Sequence, residues 1–152
     1  MSLSLCTRLT FLVLPVITIS ALAQQPSNID TQPMTVRLSE INWGPPGGGN
    51  GFPVGVRTER QGADPVTGGI TYYALFPSGS HFDLHWHTHD EYVVVVQGLL
   101  TIVLGEESHL LEVGSYIVIP GNMHHSWDVH GDEDAVIVVR RGGPADFHFV
   151  GK

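Results

Sequence analysis

The sequence has 152 residues, of which 42% are hydrophobic and only 14% are charged. This length allows one domain with a single modest core, and this composition excludes a disordered chain. The formal net charge of -8, with only 7 lysine and arginine residues, argues against nucleic acids and anionic membrane surfaces as partners of the protein.

Residues 1–23 have the layout of a secretory signal peptide. A short polar stretch containing Arg8 precedes the apolar run 9–23, which ends in Ala21-Leu22-Ala23, a small-x-small cleavage site. The alternative, an uncleaved membrane anchor, requires a run of roughly 20 apolar residues, which is longer than this one. We therefore expect cleavage before Gln24, and a mature protein that is secreted or periplasmic and has no membrane partner.

The only cysteine, Cys6, falls within the predicted leader. The mature protein would then contain no cysteine, so disulfides would not contribute to its stability in an oxidising compartment. Residues 24–35 are polar and contain Pro26 and Pro33, which predicts a linker. Residues 36–152 are predicted to form the folded domain.

The glycine-rich segment 44–51, GPPGGGNG, is similar to a phosphate-binding loop in composition only. It lacks the Gly-Lys-Ser/Thr ending that such loops require. We therefore interpret the segment as a flexible connection rather than a phosphate cradle.

From Gly69 onward, short apolar runs rich in β-branched residues alternate with turn residues, the pattern of an antiparallel sandwich or barrel. No segment of ten or more residues has convincing helical spacing with caps, and no internal repeat indicates a second barrel. We therefore predict an all-β, single-domain fold. The predicted strands are Ile70–Phe76, Phe82–His87, Glu91–Gln97, Leu99–Leu104, His109–Leu111, Tyr116–Ile119, Ser126–Val129, Ala135–Arg140 and Phe147–Val150.

The segment 79–98, GSHFDLHWHTHDEYVVVVQG, places histidines and a glutamate at short spacings before an apolar strand. Alternate residues of a strand project from the same face about 6.5–7 Å apart, so His85 and His87 can both face one ion. Imidazole nitrogens and carboxylate oxygens bind divalent transition metals, and Glu91 can supply the carboxylate. Trp86, between the two histidines, is expected to face the other side and pack.

These residues resemble the first motif of the cupin superfamily, G-x5-H-x-H-x3-E-x6-G. The residues that fit every interval of the motif are Gly79, His85, His87, Glu91 and Gly98. The resemblance implies a cupin β-barrel of the jelly-roll type with a divalent metal ion, whose identity stays open among Fe, Mn, Ni, Zn and Cu. More loosely, the chain looks like the secreted bacterial single-domain (type 2) cupins.

The second cupin motif, G-x5-P-x-G-x2-H, is similar to the stretch that contains Gly114, Pro120 and His125. Asn122 stands where the motif has glycine, but asparagine tolerates a positive φ better than other non-glycine residues, so the turn can form. Counting from Pro120 selects His125 rather than the adjacent His124, because proline anchors the strand end. The predicted metal ligands are thus His85, His87, Glu91 and His125.

Several other residues are candidates for positions near the predicted metal site. His81 and Asp83 share the strand parity of the first ligand, which allows either a contact that orients an imidazole or a rim position. Arg140 shares the parity of Val136 and Val138 and reaches a substrate only if those valines line the barrel, so a surface position is favoured. We expect core or pocket-wall aromatics at Tyr92 and Trp127, with Trp127 on the side of His125. For His89 an exposed turn position is favoured, with a substitute ligand or a proton shuttle as the alternatives. Surface or strand-end positions are expected for His109, His130 and His148.

The fold does not fix the reaction, because the cupin barrel serves dioxygenases, decarboxylases, lyases, isomerases and binding proteins. The leading hypothesis is a metal-dependent enzyme that acts on a small oxygenated molecule, with Glu91 as candidate catalytic base. Oxidative chemistry of the dioxygenase or oxidase type is placed slightly ahead of lyase, decarboxylase or isomerase chemistry. The alternative is a non-catalytic secreted cupin that binds a metal and a small molecule. Pairing through edge strands into a homodimer is left open.

Overall fold

The computed structural model of the protein describes residues 33–151. Within these residues, a short 3-10 helix, Leu38–Glu40, precedes ten strands in two five-stranded antiparallel sheets. The strands are β1 (Arg57–Ala63), β2 (Ile70–Phe76), β3 (His81–Trp86), β4 (Glu91–Gln97), β5 (Leu99–Leu104), β6 (Glu107–Leu111), β7 (Tyr116–Ile119), β8 (His125–His130), β9 (Ala135–Arg141) and β10 (His148–Phe149). The first sheet has the order β1-β2-β9-β4-β7, and the second has the order β10-β3-β8-β5-β6. The prediction of an all-β barrel is confirmed.

Most of the strands begin and end where the sequence predicts. Strands β2, β4, β5 and β7 have the predicted bounds, and the other predicted strands differ by one or two residues at their ends. Strand β1 is absent from the predicted set because its sequence, RTERQGA, has no apolar alternation. It lies at the edge of the first sheet and pairs only with β2, so its side chains stay partly or fully exposed.

The inward faces of the two sheets enclose one hydrophobic core. At one end of the barrel, Val95, Leu100, Val129 and Ala135 are each at most 6% exposed. The turn between β4 and β5 closes this end through Gly98, whose φ of 79° lies in the left-handed region. A Cβ at this position would lie 2.8 Å from the Cα of Ala135, so only glycine fits.

The glycine-rich segment 44–51 is attached to the edge of the first sheet. Among its contacts, the backbone N–H of Gly47 donates a hydrogen bond to the carbonyl of Val56, which directly precedes β1, at 2.8 Å. The next residue, Phe52, packs against Phe82 of β3 with 5.3 Å between ring centroids. The segment is therefore a structured loop rather than the flexible connection that its composition predicts, and it delivers an aromatic ring to the barrel interior.

The predicted leader, residues 1–23, and most of the predicted linker, residues 24–35, lie outside the described residues. Residues 33–37, at the start of the described part, form neither helix nor strand. Among the described residues, no helix has the length and hydrophobicity needed to cross a membrane.

Candidate metal centre

Three buried histidines converge at the other end of the barrel. His85, near the end of β3, and His125, at the start of β8, are opposite each other in the register of the two strands. His87 directly follows β3, and all three residues are at most 2% exposed. Their potential ligand atoms all lie within 4.8 Å of one another. The three histidines are therefore able to hold one metal ion.

Backbone carbonyls fix the orientation of each imidazole ring. Each Nδ1–H donates one hydrogen bond to a backbone carbonyl. His85 donates to Asp83 at 2.7 Å, His87 to Asp146 at 2.7 Å and His125 to Met123 at 3.0 Å. Because a carbonyl only accepts, each Nδ1 carries a proton, and each Nε2 keeps its lone pair for a metal. Hydrogen bonds of this kind set the tautomer and the ring orientation of metal-binding histidines.

Burial keeps the imidazoles of His85 and His125 neutral. Burial, together with the neighbouring His125, lowers the pKa of His85 to about 3. Burial also lowers the pKa of His125 to about 4, although the charge of Glu91 opposes this shift. The Nε2 atoms of His87 and His125 are buried and accept no hydrogen bond from the described residues. Unpaired buried acceptors are unfavourable, and a bound cation would satisfy both.

Glu91, the first residue of β4, faces the histidines from the first sheet. Its Oε2 lies 3.4 Å from Nε2 of His87 and 3.8 Å from Nε2 of His125. Three atoms that only accept hydrogen bonds therefore face one another, an arrangement that a cation between them would stabilise. The other carboxylate oxygen, Oε1, accepts hydrogen bonds from Arg141 and, at 3.4 Å, from the hydroxyl of Tyr72.

The surroundings keep Glu91 ionised and Tyr72 protonated. Burial alone would raise the pKa of Glu91, but the charge of Arg141, 2.7 Å from Oε1, lowers this pKa below its usual range. Burial, together with the nearby charge of Glu91, raises the pKa of the Tyr72 hydroxyl well above its usual range. The centre thus offers a permanent carboxylate and a hydroxyl that remains a hydrogen-bond donor at neutral pH.

Arg141 completes the centre, and the sequence pattern does not indicate it. Its side chain has no solvent exposure. Nη1 donates to Oε1 of Glu91 at 2.7 Å, and Nη2 donates to the carbonyl of Asp146 at 2.7 Å. The same carbonyl accepts the hydrogen bond from His87, so one guanidinium connects two of the predicted metal ligands.

Arg140, the arginine that the sequence suggests as a candidate for substrate contact, lies on the outer face of β9. It is mostly exposed and pairs with Asp64 at 3.3 Å, in line with the favoured surface position. The interior is lined by Ile137 and Val139, whose parity is that of Arg141. Strand β9 is apolar on both faces before the two arginines, so its sequence lacks the alternation that would indicate which arginine points inward.

An apolar pocket of about 50 Å³ adjoins the histidine cluster. Its polar lining residues are Thr58, Tyr72, His85, His87 and Glu91, and its apolar lining residues are Phe52, Val56, Ala74, Phe76, Phe82, Trp127, Ile137 and Phe147. A second cavity of about 400 Å³, beside the glycine-rich loop, shares Phe52, Val56, Thr58, Tyr72 and Phe147 with the first. The inner pocket therefore admits only a few non-hydrogen atoms, and the outer cavity has room for the remainder of a small molecule.

The turn before β8 has the conformation that the second motif requires. Asn122 adopts a φ of 66°, and its backbone N–H donates a 2.7 Å hydrogen bond to the carbonyl of His87. This turn leaves His124 exposed and buries His125 in the cluster. Trp127 is 3% exposed and lines the inner pocket, on the side of His125 as expected. Metal binding by these residues stays a prediction.

The remaining candidate residues lie away from the cluster. His81 is half-exposed and pairs with Asp128 at 2.7 Å, so the backbone of Asp83, rather than either side chain, orients His85. Tyr92 lies on the outer face of β4, where its hydroxyl contacts Asp90 and its ring lines an outer cavity, so it belongs neither to the core nor to the pocket beside the histidines. Surface positions are occupied by His89, His109 and His130, and His148 is partly exposed and stacks on Trp86.

Comparisons with known proteins identify the same fold. A family model described as a cupin domain matches residues 72–140. A cupin-2 domain from Rhodospirillum rubrum superposes with a TM-score of 0.63 at 15% identity, covering 78% of this chain and 81% of that chain. KdgF from Halomonas sp. superposes with a TM-score of 0.58 at 20% identity, covering 73% and 94%, respectively.

One curated sequence is also similar. The uncharacterized protein y4oW of Sinorhizobium fredii is 40% identical over 50 residues. The match covers 33% of this chain and 23% of y4oW, so it spans less than a quarter of that protein.

Proposed function

The chain belongs to the cupin superfamily, and we propose that it is a metal-dependent enzyme that acts on a small oxygenated molecule. One observation carries the proposal: unpaired, buried Nε2 atoms meet a carboxylate oxygen at the end of an otherwise apolar pocket. Such a pocket with a few convergent polar groups is typical of a small-molecule site.

The residues that would hold the ion are His85, His87 and His125 through Nε2, and Glu91 through Oε2. A divalent ion bound there would polarise a substrate oxygen as a Lewis acid and, if redox-active, would also transfer electrons. The protein residues fix the ligand geometry, since backbone carbonyls hold the imidazoles and Arg141 holds Glu91. The identity of the metal is left open among Fe, Mn, Ni, Zn and Cu.

Two features of the pocket favour oxidative chemistry, of the dioxygenase or oxidase type, over lyase, decarboxylase or isomerase chemistry. The aromatic and aliphatic walls exclude water, which protects reactive species from side reactions. Lyases and isomerases also rely on a dedicated acid or base. Beyond the proposed ligands, Tyr72 is the titratable residue that lines this pocket, and its raised pKa makes it a hydrogen-bond donor rather than a base.

Glu91 is the candidate base. Its Oε1 is bonded to Arg141, so only Oε2 is available to accept a proton from a substrate. The lowered pKa of Glu91 makes this oxygen a weak base while the contact with Arg141 persists. In this proposal Glu91 acts first as a charged ligand, and it acts as a base only when its carboxylate leaves the ion.

The low basicity of Glu91 supports a second candidate function, a cupin that binds a metal and a small molecule without catalysis.

The test that separates the two functions is oxygen uptake by untagged protein loaded with Fe(II) or Mn(II), with small acids, phenolics and sugars as substrates. His85→Ala, loaded in the same way, is the matched control. Uptake that depends on His85 supports the oxidative enzyme, and product formation without oxygen supports a lyase or isomerase. Tight binding without turnover across these compounds would contradict the enzymatic proposal.

We also propose that the protein is secreted or periplasmic, because residues 1–23 have the layout of a cleaved leader. The mature chain is then expected to begin at Gln24. Intact mass spectrometry of the exported protein measures this directly. A mass that includes residues 1–23 would contradict both the cleavage and the absence of cysteine from the mature chain.

A homodimer is a further proposal. The edge strand β7 of the first sheet exposes Tyr116 and Val118 on its outer face, 63% and 46% exposed, respectively. Pairing of barrels would cover such an edge. Light scattering of the purified protein measures the mass in solution, and the mass of a monomer at all concentrations would contradict the proposal.

A further inference from the structure

The buried charge of Arg141 calls for an explanation beyond the proposed metal centre. Besides its hydrogen bonds, the guanidinium lies over the ring of Phe147, with 5.3 Å between Cζ and the ring centroid. Its Nε is buried and has no hydrogen-bond partner among the described residues. Burying a guanidinium is unfavourable unless partner charges and hydrogen bonds replace its lost hydration, and here Glu91 supplies the partner charge.

The charges that face the histidine cluster cancel. Glu91 contributes one negative charge, and Arg141, 2.7 Å away, contributes one positive charge. The imidazoles bind a metal in their neutral forms. The carboxylate of Asp146 also lies 3.9 Å from Arg141, but a third of its side chain is exposed and it bonds to Thr88, so water screens its charge.

A divalent ion in this centre would therefore keep almost its full double positive charge. Apart from the proposed ligands, Thr58 and Tyr72, the walls of the adjoining pocket are aromatic and aliphatic. Charges attract strongly in such a medium because the dielectric constant is low. A ligand that brings negative charge to the ion would be favoured over a neutral ligand of the same size. The apolar walls would favour a hydrocarbon body behind the charged group.

We propose that Arg141 is a positioning residue that holds Glu91 by one oxygen and cancels its charge. As a result, the metal-loaded centre selects small carboxylates with apolar bodies. This inference rests on the proposed metal centre and names its ligand class. The charge of the ion would attract the carboxylate into the inner pocket, whose small volume leaves the larger body for the outer cavity. The lining of that cavity is mostly apolar and includes Arg60.

The test compares two probes of equal size, isobutyrate and isobutyramide, on untagged protein loaded with Co(II). Binding is followed by the change in the visible absorption of the Co(II) ion. For the wild type we expect isobutyrate to bind at least about tenfold more tightly than isobutyramide, because a charge within several Å strongly favours the anion. In Arg141→Met the ratio of the two affinities should fall roughly tenfold, since the charge of Glu91 is then no longer cancelled.

Two further variants separate charge from structure. Arg140→Met, which removes the exposed neighbouring arginine, should leave the ratio unchanged. Arg141→Lys keeps a positive charge beside Glu91 and leaves every proposed ligand in place, so it should retain most of the ratio of the wild type. This variant also provides the test if Arg141→Met does not fold.

The outcomes distinguish this inference from the proposed function. Wild-type protein that binds no Co(II) would contradict the proposed metal centre. Protein that binds Co(II) but has a ratio near one, or a ratio that is unchanged in Arg141→Met, would overturn only the role of Arg141. Loss of the ratio in folded, Co(II)-loaded Arg141→Lys would overturn the charge argument as well.

Discussion

The two ends of the barrel use the same strands for opposite purposes. At the closed end, β4, β5 and β8 present aliphatic side chains such as Val95, Leu100 and Val129, which are almost fully buried. At the other end, β4 and β8 present Glu91 and His125, which are equally buried but polar. Aliphatic burial stabilises the fold by about 25 cal/mol per Å². A buried polar atom without a partner destabilises it by about 1–3 kcal/mol.

This difference separates the part of the barrel that stabilises the fold from the part that carries the candidate site. Among residues 33–151, the closed end has no buried charged side chain, so its strands can pack for stability alone. The histidine end, which carries His85, His87 and His125, keeps unpaired Nε2 atoms that a bound cation would satisfy, so a cation would stabilise the folded state. Natural proteins accept such local conflicts at functional sites and compensate for them elsewhere.

The largest expected effect is at the closed end. Leu100 has no exposed surface, so Leu100→Ala should lower the free energy of unfolding by about 2–5 kcal/mol through lost burial and a residual cavity. Chemical denaturation of the metal-free protein measures the change. Leu110→Ala, at a leucine that is 67% exposed, is the matched control and should change stability by less than about 0.5 kcal/mol. Loss of metal binding in folded Leu100→Ala would contradict the claim that packing at the closed end is independent of the histidine cluster.

The second-largest expected effect is at the histidine end. His85→Ala and His87→Ala should each lower metal affinity by more than about 100-fold, because even residues that only support a ligand change affinity by about 10–100-fold. Competition with a chelating dye measures the affinity. His109→Ala, on the exposed face of β6, should bind metal like the wild type. His148→Ala should also retain the metal, although His148 bonds to the carboxylate of Asp146 and is the less independent control. Equal affinities in all four variants would mean that the cluster is incidental.

The smallest effect concerns the turn between β7 and β8, which lies in the second motif. Asn122 has a φ of 66°, which glycine adopts freely and alanine only at a cost of about 1–2 kcal/mol. Asn122→Ala should therefore reduce thermal stability, whereas Asn122→Gly should leave it nearly unchanged. Because the N–H of Asn122 bonds to the carbonyl of His87, the alanine variant should also weaken metal binding slightly. Equal melting temperatures of the two variants would show that this turn tolerates either residue.

The sequence predicts the strands of the barrel well because their apolar, β-branched runs are separated by clear turn residues. Strand β1 escapes prediction, since a polar edge strand that pairs on one side carries no pattern. The convergence of His85, His87 and His125 follows from motif spacing and strand parity. The role of Arg141 could not be predicted, because β9 is apolar on both faces and ends in two arginines, so its sequence does not indicate which arginine points inward. The hydrogen bonds that orient the imidazoles go to backbone carbonyls, which no side-chain pattern can indicate.

The measurement that tests the central claim most directly is the metal content of His124→Ala and His125→Ala beside that of the wild type. Adjacent residues of an extended segment face opposite sides, so only one of these imidazoles can reach the ion. Elemental analysis of untagged, folded proteins should give the same metal content for the wild type and His124→Ala, and a severe loss for His125→Ala. Retention of metal in His125→Ala with loss in His124→Ala would contradict the proposed centre.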